Sequence, residues 1–204
     1  MRSADSFLRD TLTKILSEKH RILDIGGGLR VDLRRSNRFA EANQWLLPYL
    51  KKVDYKILDV VSDYHPDFVG DIHNLPFENE QWDALVCVSV LEHVENPLKA
   101  VEELYRVLKS GGYCFIYIPF LYYYHAEKGY YKDYWRFTKD TIPLLFKKFS
   151  KIELQPVRGA IATWLHISPL GKIRWLASLA TMLDAFFKKN SSSQVSGYYV
   201  FLIK

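Results

Sequence analysis

An α/β fold, a mostly parallel sheet sandwiched between helices, is predicted by three features of the 204-residue sequence. Short apolar runs of strand length alternate along the chain with stretches of helical periodicity. The clearest run, Asp83-Ala84-Leu85-Val86-Cys87-Val88-Ser89-Val90, is almost continuously apolar, as a strand covered on both faces requires. A glycine break, Gly26-Gly27-Gly28, directly follows the first such run, and ligands in α/β sheets bind at the carboxyl ends of strands.

The elements follow in order. Phe7, Leu8, Leu12, Ile15 and Leu16 recur at helical spacing and predict a helix over 6–19. A buried strand over 21–25 comes next and ends at the glycines. Helical signals over 33–50 precede a second strand over 55–60, and 68–70 can form a short third. After the long run, Ala100, Val101, Leu104, Val107 and Leu108 share one face of a helix over 97–108, which Gly111-Gly112 should end. Strands over 113–118, 151–157 and 198–203 and a helix over 138–149 complete the pattern. No internal repeat is evident.

Apolar residues make up 49% and charged residues 25%, the balance of an ordinary globular domain, and the length suits one domain over 1–204. The net charge of +5 suits an anionic partner, but the basic pairs are scattered and form no tract specific for nucleic acid. Cys87 and Cys114 lie inside strand-like runs and read as buried thiols, neither disulfide nor metal ligands. No Cys/His spacing signals zinc, so no metal site is expected. The first ten residues lack a basic region followed by an apolar core, and no apolar run reaches ~18 residues, so neither a leader nor a spanning helix is expected. A cytoplasmic setting fits these features.

The turn Asp24-Ile25-Gly26-Gly27-Gly28 suits a nucleoside ligand, because glycines permit a sharp bend and close backbone approach. A dinucleotide fingerprint would need a further glycine where Val31 stands, and its acidic residue would come later. A tight turn without a ligand remains the alternative. Asp59 ends the second strand, where its acceptor-only oxygens could take both ribose hydroxyls, with Val60 beside it. Asp71 could accept from an adenine amino group. Singly, such aspartates are more often caps or surface residues; their order is the signal.

Together with Gly70-Asp71-Ile72-His73-Asn74-Leu75-Pro76-Phe77, Trp82-Asp83-Ala84-Leu85-Val86, Val90-Leu91-Glu92-His93-Val94 and Arg106-Val107-Leu108-Lys109-Ser110-Gly111-Gly112, this turn resembles class I S-adenosylmethionine-dependent methyltransferases. The likeness covers about residues 20 to 120 and is greatest to the large group of quinone and sugar methyltransferases (type 11-like). It implies a Rossmann-like three-layer sandwich whose seven-stranded sheet is mostly parallel with an antiparallel last strand. It also implies S-adenosyl-L-methionine as cofactor. Gly26, Gly27 and Gly28 would approach its methionine part with Asp24 close by, Asp59 and Val60 would hold the ribose, and Asp71 and Ile72 the adenine. Ser89 and Val90 would line the pocket near the methyl group. The long stretch from Leu29 to Asp54 departs from the usual spacing and leaves Asp59 less firmly placed than the glycines.

An oxygen acceptor would further need a base, for which His93 and His125 are candidates; packing or capping is the commoner fate of a lone histidine. The aromatic segment 119–138 follows the fifth strand, and Tyr124, Tyr131, Trp135 and Arg136 there are candidates for binding a sugar or flat acceptor; a packed lid is the alternative. Its Asp-Tyr-Trp-Arg-Phe-Thr stretch is similar to methyltransferases of bacterial surface-polysaccharide pathways. A small-molecule or glycan acceptor is therefore expected. Arg30, Arg34 and Arg38, with Arg35 beside them, form either a solvated face or a basic stripe drawing an anionic acceptor. RNA methylation and a non-catalytic S-adenosylmethionine-binding role are the rival functions. The segment 158–196, a helical insertion before the last strand, can cover the sheet or a dimer partner. Alternatively it can lie peripherally on the inner membrane surface.

Overall fold

A computed structural model describes residues 3–33, 38–191 and 193–204. Its first helix, α1 (Ala4–Glu18), starts where the Ser3 hydroxyl accepts from the Ser6 amide, and it buries Phe7, Leu12, Ile15 and Leu16 along one stripe. The strands are β1 (Arg21–Ile25), β2 (Asp54–Asp59), β3 (Phe68–Val69), β4 (Trp82–Val88), β5 (Leu108–Pro119), β6 (Lys151–Val157) and β7 (Gly197–Ile203). They form one seven-stranded sheet in the order β3-β2-β1-β4-β5-β7-β6, in which β7 alone runs antiparallel to its neighbours. The expected three-layer sandwich is thus present, antiparallel last strand included.

Alternation along the strands divides the core. Leu23, Ile25, Leu85, Cys87, Cys114 and Ile116 face one side, whereas Ile22, Ala84, Val86 and Phe115 face the other, against α1. The first side is closed by α3 (Pro97–Val107), capped by Asn96, whose side chain accepts from the Lys99 amide, with Pro97 in its first turn.

Three expectations are corrected. Instead of one helix over 33–50 there is a 3-10 turn (Glu41–Leu46) followed by the single-turn α2 (Leu47–Leu50). Pro48 has no N–H to continue a longer helix, and Asn43 donates its side-chain amide to the Leu29 carbonyl, tying the segment back to the glycine turn. Helix 138–149 shrinks to α4 (Thr141–Leu145), because Pro143 fits only a first turn. Gly111 and Gly112 do not stop α3; they lie inside β5, at the register shift where Trp82 and Ala84 pair with Leu108 and Tyr113. Between β6 and β7 lie α5 (Ala160–Ile167) and α6 (Arg174–Phe186). The buried Asp184 of α6 accepts from the amides of Ile161 and Ala162 and so caps α5. This pair leaves Trp164, Trp175, Met182 and Phe186 66–79% exposed, so these four side chains do not cover the sheet. Among the described residues no helix is long and apolar enough to cross a membrane.

Candidate functional site

β1 and β4 are adjacent strands from which the connections leave in opposite directions, and in such sheets a crevice opens at that switch point. Here it is a cavity of about 720 Å³ at the carboxyl ends of β1, β2 and β4, roofed by the segment 124–134. Gly26 has φ +78°, and a Cβ there would stand 2.5 Å from Val90 Cγ2; at Gly28 one would stand 2.6 Å from the Val88 carbonyl oxygen. The backbone is therefore open only to glycine at the first position and pressed against β4 at the second.

Gly26, Asp59, Val60, Asp71, Ile72, Ser89 and Val90 all line the cavity. Asp59 is buried and accepts from the Val61 amide at 3.1 Å. Partial burial opposes ionisation of Asp71, but its hydrogen bonds from the His73 amide (2.9 Å) and with the His73 ring (2.7 Å) win and hold its carboxyl below the usual range. Asp24, Gly27 and Gly28 do not line it. The fully buried Asp24 instead shapes the turn, accepting from the amides of Gly28 and Leu29 at 3.1 Å each and from the Tyr55 hydroxyl at 2.5 Å. Ser89 has φ +56°, a left-handed conformation costly for a residue with a side chain.

On the opposite wall stand His93, Tyr124 and Tyr131. His93 Nδ1 donates to the Lys132 carbonyl at 2.7 Å, which leaves Nε2 as the acceptor of the neutral ring. His125 does not line the cavity but packs edge-on against His93, with ring centroids 4.7 Å apart. Its affinity for a proton is raised, first by Glu92 and then, against desolvation, by the Tyr123 carbonyl and Asp133. Trp135 and Arg136 do not line the cavity either. The Trp135 indole donates to the Val94 carbonyl, and Arg136 gives its donors to Asp133 and to the carbonyls of Tyr122, Tyr123 and Trp135. Both therefore hold the shape of the loop. Burial disfavours the Asp133 carboxylate, yet Arg136 and His125 keep it ionised down to about 2.

Arg34 and Arg35 of the expected basic stripe lie outside the described residues. Arg38 belongs to the roof: it donates to Glu127 (2.9 Å) and Tyr131 (3.2 Å), and its guanidinium sits 3.6 Å from the Tyr64 ring centre. Tyr64, Glu127 and Tyr130 also line the cavity and were not singled out in the sequence; no spacing signal connects them. The same holds for Glu92, which is buried between His93 and His125.

Residues 51–116 match the family described as "Methyltransferase domain". A tRNA (carboxymethyluridine(34)-5-O)-methyltransferase of Arabidopsis thaliana is 35% identical over 68 residues, covering 31% of this chain and 17% of that protein. Demethylmenaquinone methyltransferase of Chlamydia trachomatis is 27% identical over 110 residues, covering 51% and 46%. The chain thus spans less than half the length of these curated relatives. Among solved structures, an S-adenosylmethionine-dependent methyltransferase of Archaeoglobus fulgidus superposes with a TM-score of 0.58 at 13% identity, covering 97% of this chain and 91% of that one. One from Mesorhizobium loti gives 0.57 at 15%, covering 96% of each.

Proposed function

We propose that this chain, by its domain and fold an S-adenosylmethionine-dependent methyltransferase of class I, methylates an oxygen of a sugar or other small-molecule acceptor. The observation that carries this is one cavity with two unlike walls: glycine backbone and carboxylates on one side, an imidazole among tyrosines on the other. When bound, S-adenosylmethionine supplies a methyl group already activated by its sulfonium. Gly26 offers bare backbone to its methionine part, Asp59 two acceptors for ribose hydroxyls, and Asp71 and Ile72 a polar and an apolar contact for the adenine. The roof of Tyr131, pinned by Arg38, and Tyr130, bonded to Asp63, excludes water and aligns the acceptor. His93, its Nδ1 held by the Lys132 carbonyl and its Nε2 3.9 Å from a Glu92 oxygen, takes the acceptor's proton.

Calorimetry with S-adenosylmethionine tests the cofactor side, and no detectable binding would contradict the proposal. Transfer of a tritiated methyl group, screened over glycans, quinones and RNA, tests the acceptor. Label in RNA alone would favour the second reading, which the tRNA-modifying relative and the net charge support.

The exposed face of α6 supports a position at an anionic lipid surface. Trp175, Leu179, Met182 and Phe186 form one apolar stripe, and between residues 158 and 190 the sole acidic side chain, Asp184, is buried. Lys172, Lys188 and Lys189 flank the stripe, an arrangement suited to interfacial binding. The buried free thiols of Cys87 and Cys114 support the reducing cytoplasmic side of such a membrane.

A further inference from the structure

Glu92 is a buried acid next to two histidines. It lies in the 3-10 turn Leu91–His93 after β4 and is wholly buried, yet neither carboxylate oxygen has a hydrogen-bond partner among the described residues. A buried carboxylate without a partner is strongly disfavoured unless a cation compensates it. The nearest candidates are His125 Nε2 at 3.6 Å and His93 Nε2 at 3.9 Å from Oε1, both beyond hydrogen-bond range. Arg136, the nearby guanidinium, is already taken up by Asp133 and three carbonyls.

Both rings are held from behind. His93 Nδ1 donates to the Lys132 carbonyl at 2.7 Å; His125 Nδ1 lies 3.1 Å from the Tyr123 carbonyl and 3.2 Å from Asp133 Oδ2, which can only accept. Each neutral ring therefore keeps its Nε2 lone pair for something else. A carbonyl or carboxylate behind the far nitrogen is the usual support of a metal-binding histidine. The ligand atoms of Glu92, His93 and His125 all lie within 4.8 Å of one another.

We propose that Glu92, His93 and His125 bind a divalent transition-metal ion, with zinc the best match. Two imidazoles and one carboxylate form a three-ligand set that leaves coordination positions open. Tetrahedral ligands at ~2.05 Å stand ~3.3 Å apart, so the two Glu92–histidine separations need to close by a few tenths of an ångström and the histidine pair, within 4.8 Å, by at most about 1.5 Å. His93 lines the cavity, so an open position there is within reach of an acceptor hydroxyl, which such an ion acidifies. The hydroxyl proton leaves to bulk solvent as the acceptor binds the ion, before the methyl transfer from which water is excluded. The hydroxyl oxygen forms the new O–C bond as the C–S bond of S-adenosylmethionine breaks, the electron pair staying on sulfur. His93 Nε2, occupied by the ion, no longer takes the proton itself. This use of the ion rests on the methyl-transfer reading; the binding site does not.

The test uses the full chain, stripped with a chelator and titrated with zinc chloride, with S-adenosylmethionine binding measured in parallel. Equimolar zinc uptake and a raised melting temperature are expected, with affinity falling at least about 10-fold in Glu92→Gln and His125→Ala. S-adenosylmethionine binding by each variant shows that it is folded; should one fail to fold, the other carries the test. No uptake by the wild type, or equal uptake by the folded variants, overturns the proposal. Zinc uptake without S-adenosylmethionine binding would instead sink methyl transfer and leave the metal site standing.

Discussion

Replacing Gly26 by alanine probes the cavity wall at which the glycine turn meets Val90. Two penalties add. At φ +78° a side chain costs about 1–2 kcal/mol relative to glycine. The new Cβ would also meet Val90 Cγ2 at 2.5 Å, and overpacking of that kind costs about 1–3 kcal/mol. Gly26→Ala should therefore lose about 2–5 kcal/mol of stability, the sum of those two ranges. In a Val90→Ala background the clash disappears, because Val90 Cβ is 3.9 Å away, an ordinary contact, and only the backbone penalty is left. A double-mutant cycle by urea denaturation should then return a coupling of about 1–3 kcal/mol. Calorimetry on the same four proteins should show S-adenosylmethionine affinity falling in Gly26→Ala and recovering in part in the double variant. Equal costs in both backgrounds would mean that Gly26 and Val90 do not touch, and the description of this wall would be wrong.

Asp24→Ala would strand the amides of Gly28 and Leu29 and the Tyr55 hydroxyl, at about 1–3 kcal/mol for each group left unsatisfied; a lowered urea midpoint is expected, with Tyr55→Phe milder. Glu103 is held below its usual 4.5, first by Arg106 and, against desolvation, by the Leu75 amide, so its contribution is present above that value and lost as pH falls through the lowered one. Stability followed from neutral to acid pH should decline less steeply in Glu103→Gln than in the wild type. The α6 face predicts co-sedimentation with phosphatidylglycerol vesicles but not with pure phosphatidylcholine; Trp175→Glu with Met182→Glu should abolish it, and unchanged binding would remove the membrane assignment.

The sheet was legible because buried parallel strands announce themselves as apolar runs, and Lys151–Val157 could be read to its ends. Helices were legible only where their apolar periodicity was uninterrupted, as in α1 and α3. Pro48 and Pro143 cut short the other two, an effect that local hydrophobic pattern does not register. One cavity wall, with Gly26, Asp59 and Asp71, could be read in part because residues at strand ends carry their geometry locally, although Asp24, Gly27 and Gly28 do not line it. The opposite wall could not: Trp135 and Arg136 look like ligand-binding groups in the sequence, yet their donors are satisfied by carbonyls and Asp133 within the fold. Equally, nothing in the spacing of Glu92, His93 and His125 signals that a loop returns the third residue to the first two.

That return is organised by one short stretch, Ser89 to Val94, which couples the two walls. Ser89 turns the chain out of β4 through its left-handed φ, and its amide donates to the Tyr117 carbonyl of β5, fixing the exit. Val90 then presses its methyl toward Gly26. Two residues on, the Glu92 carbonyl accepts from the amides of both Tyr134 and Trp135, and the Val94 carbonyl accepts from the Trp135 indole. The roof segment 124–134 is thus hung on the same turn that abuts Gly26. This turn links the two walls, so substitutions at Trp135 or Gly26 should each shift the His93 ring resonances in an NMR spectrum.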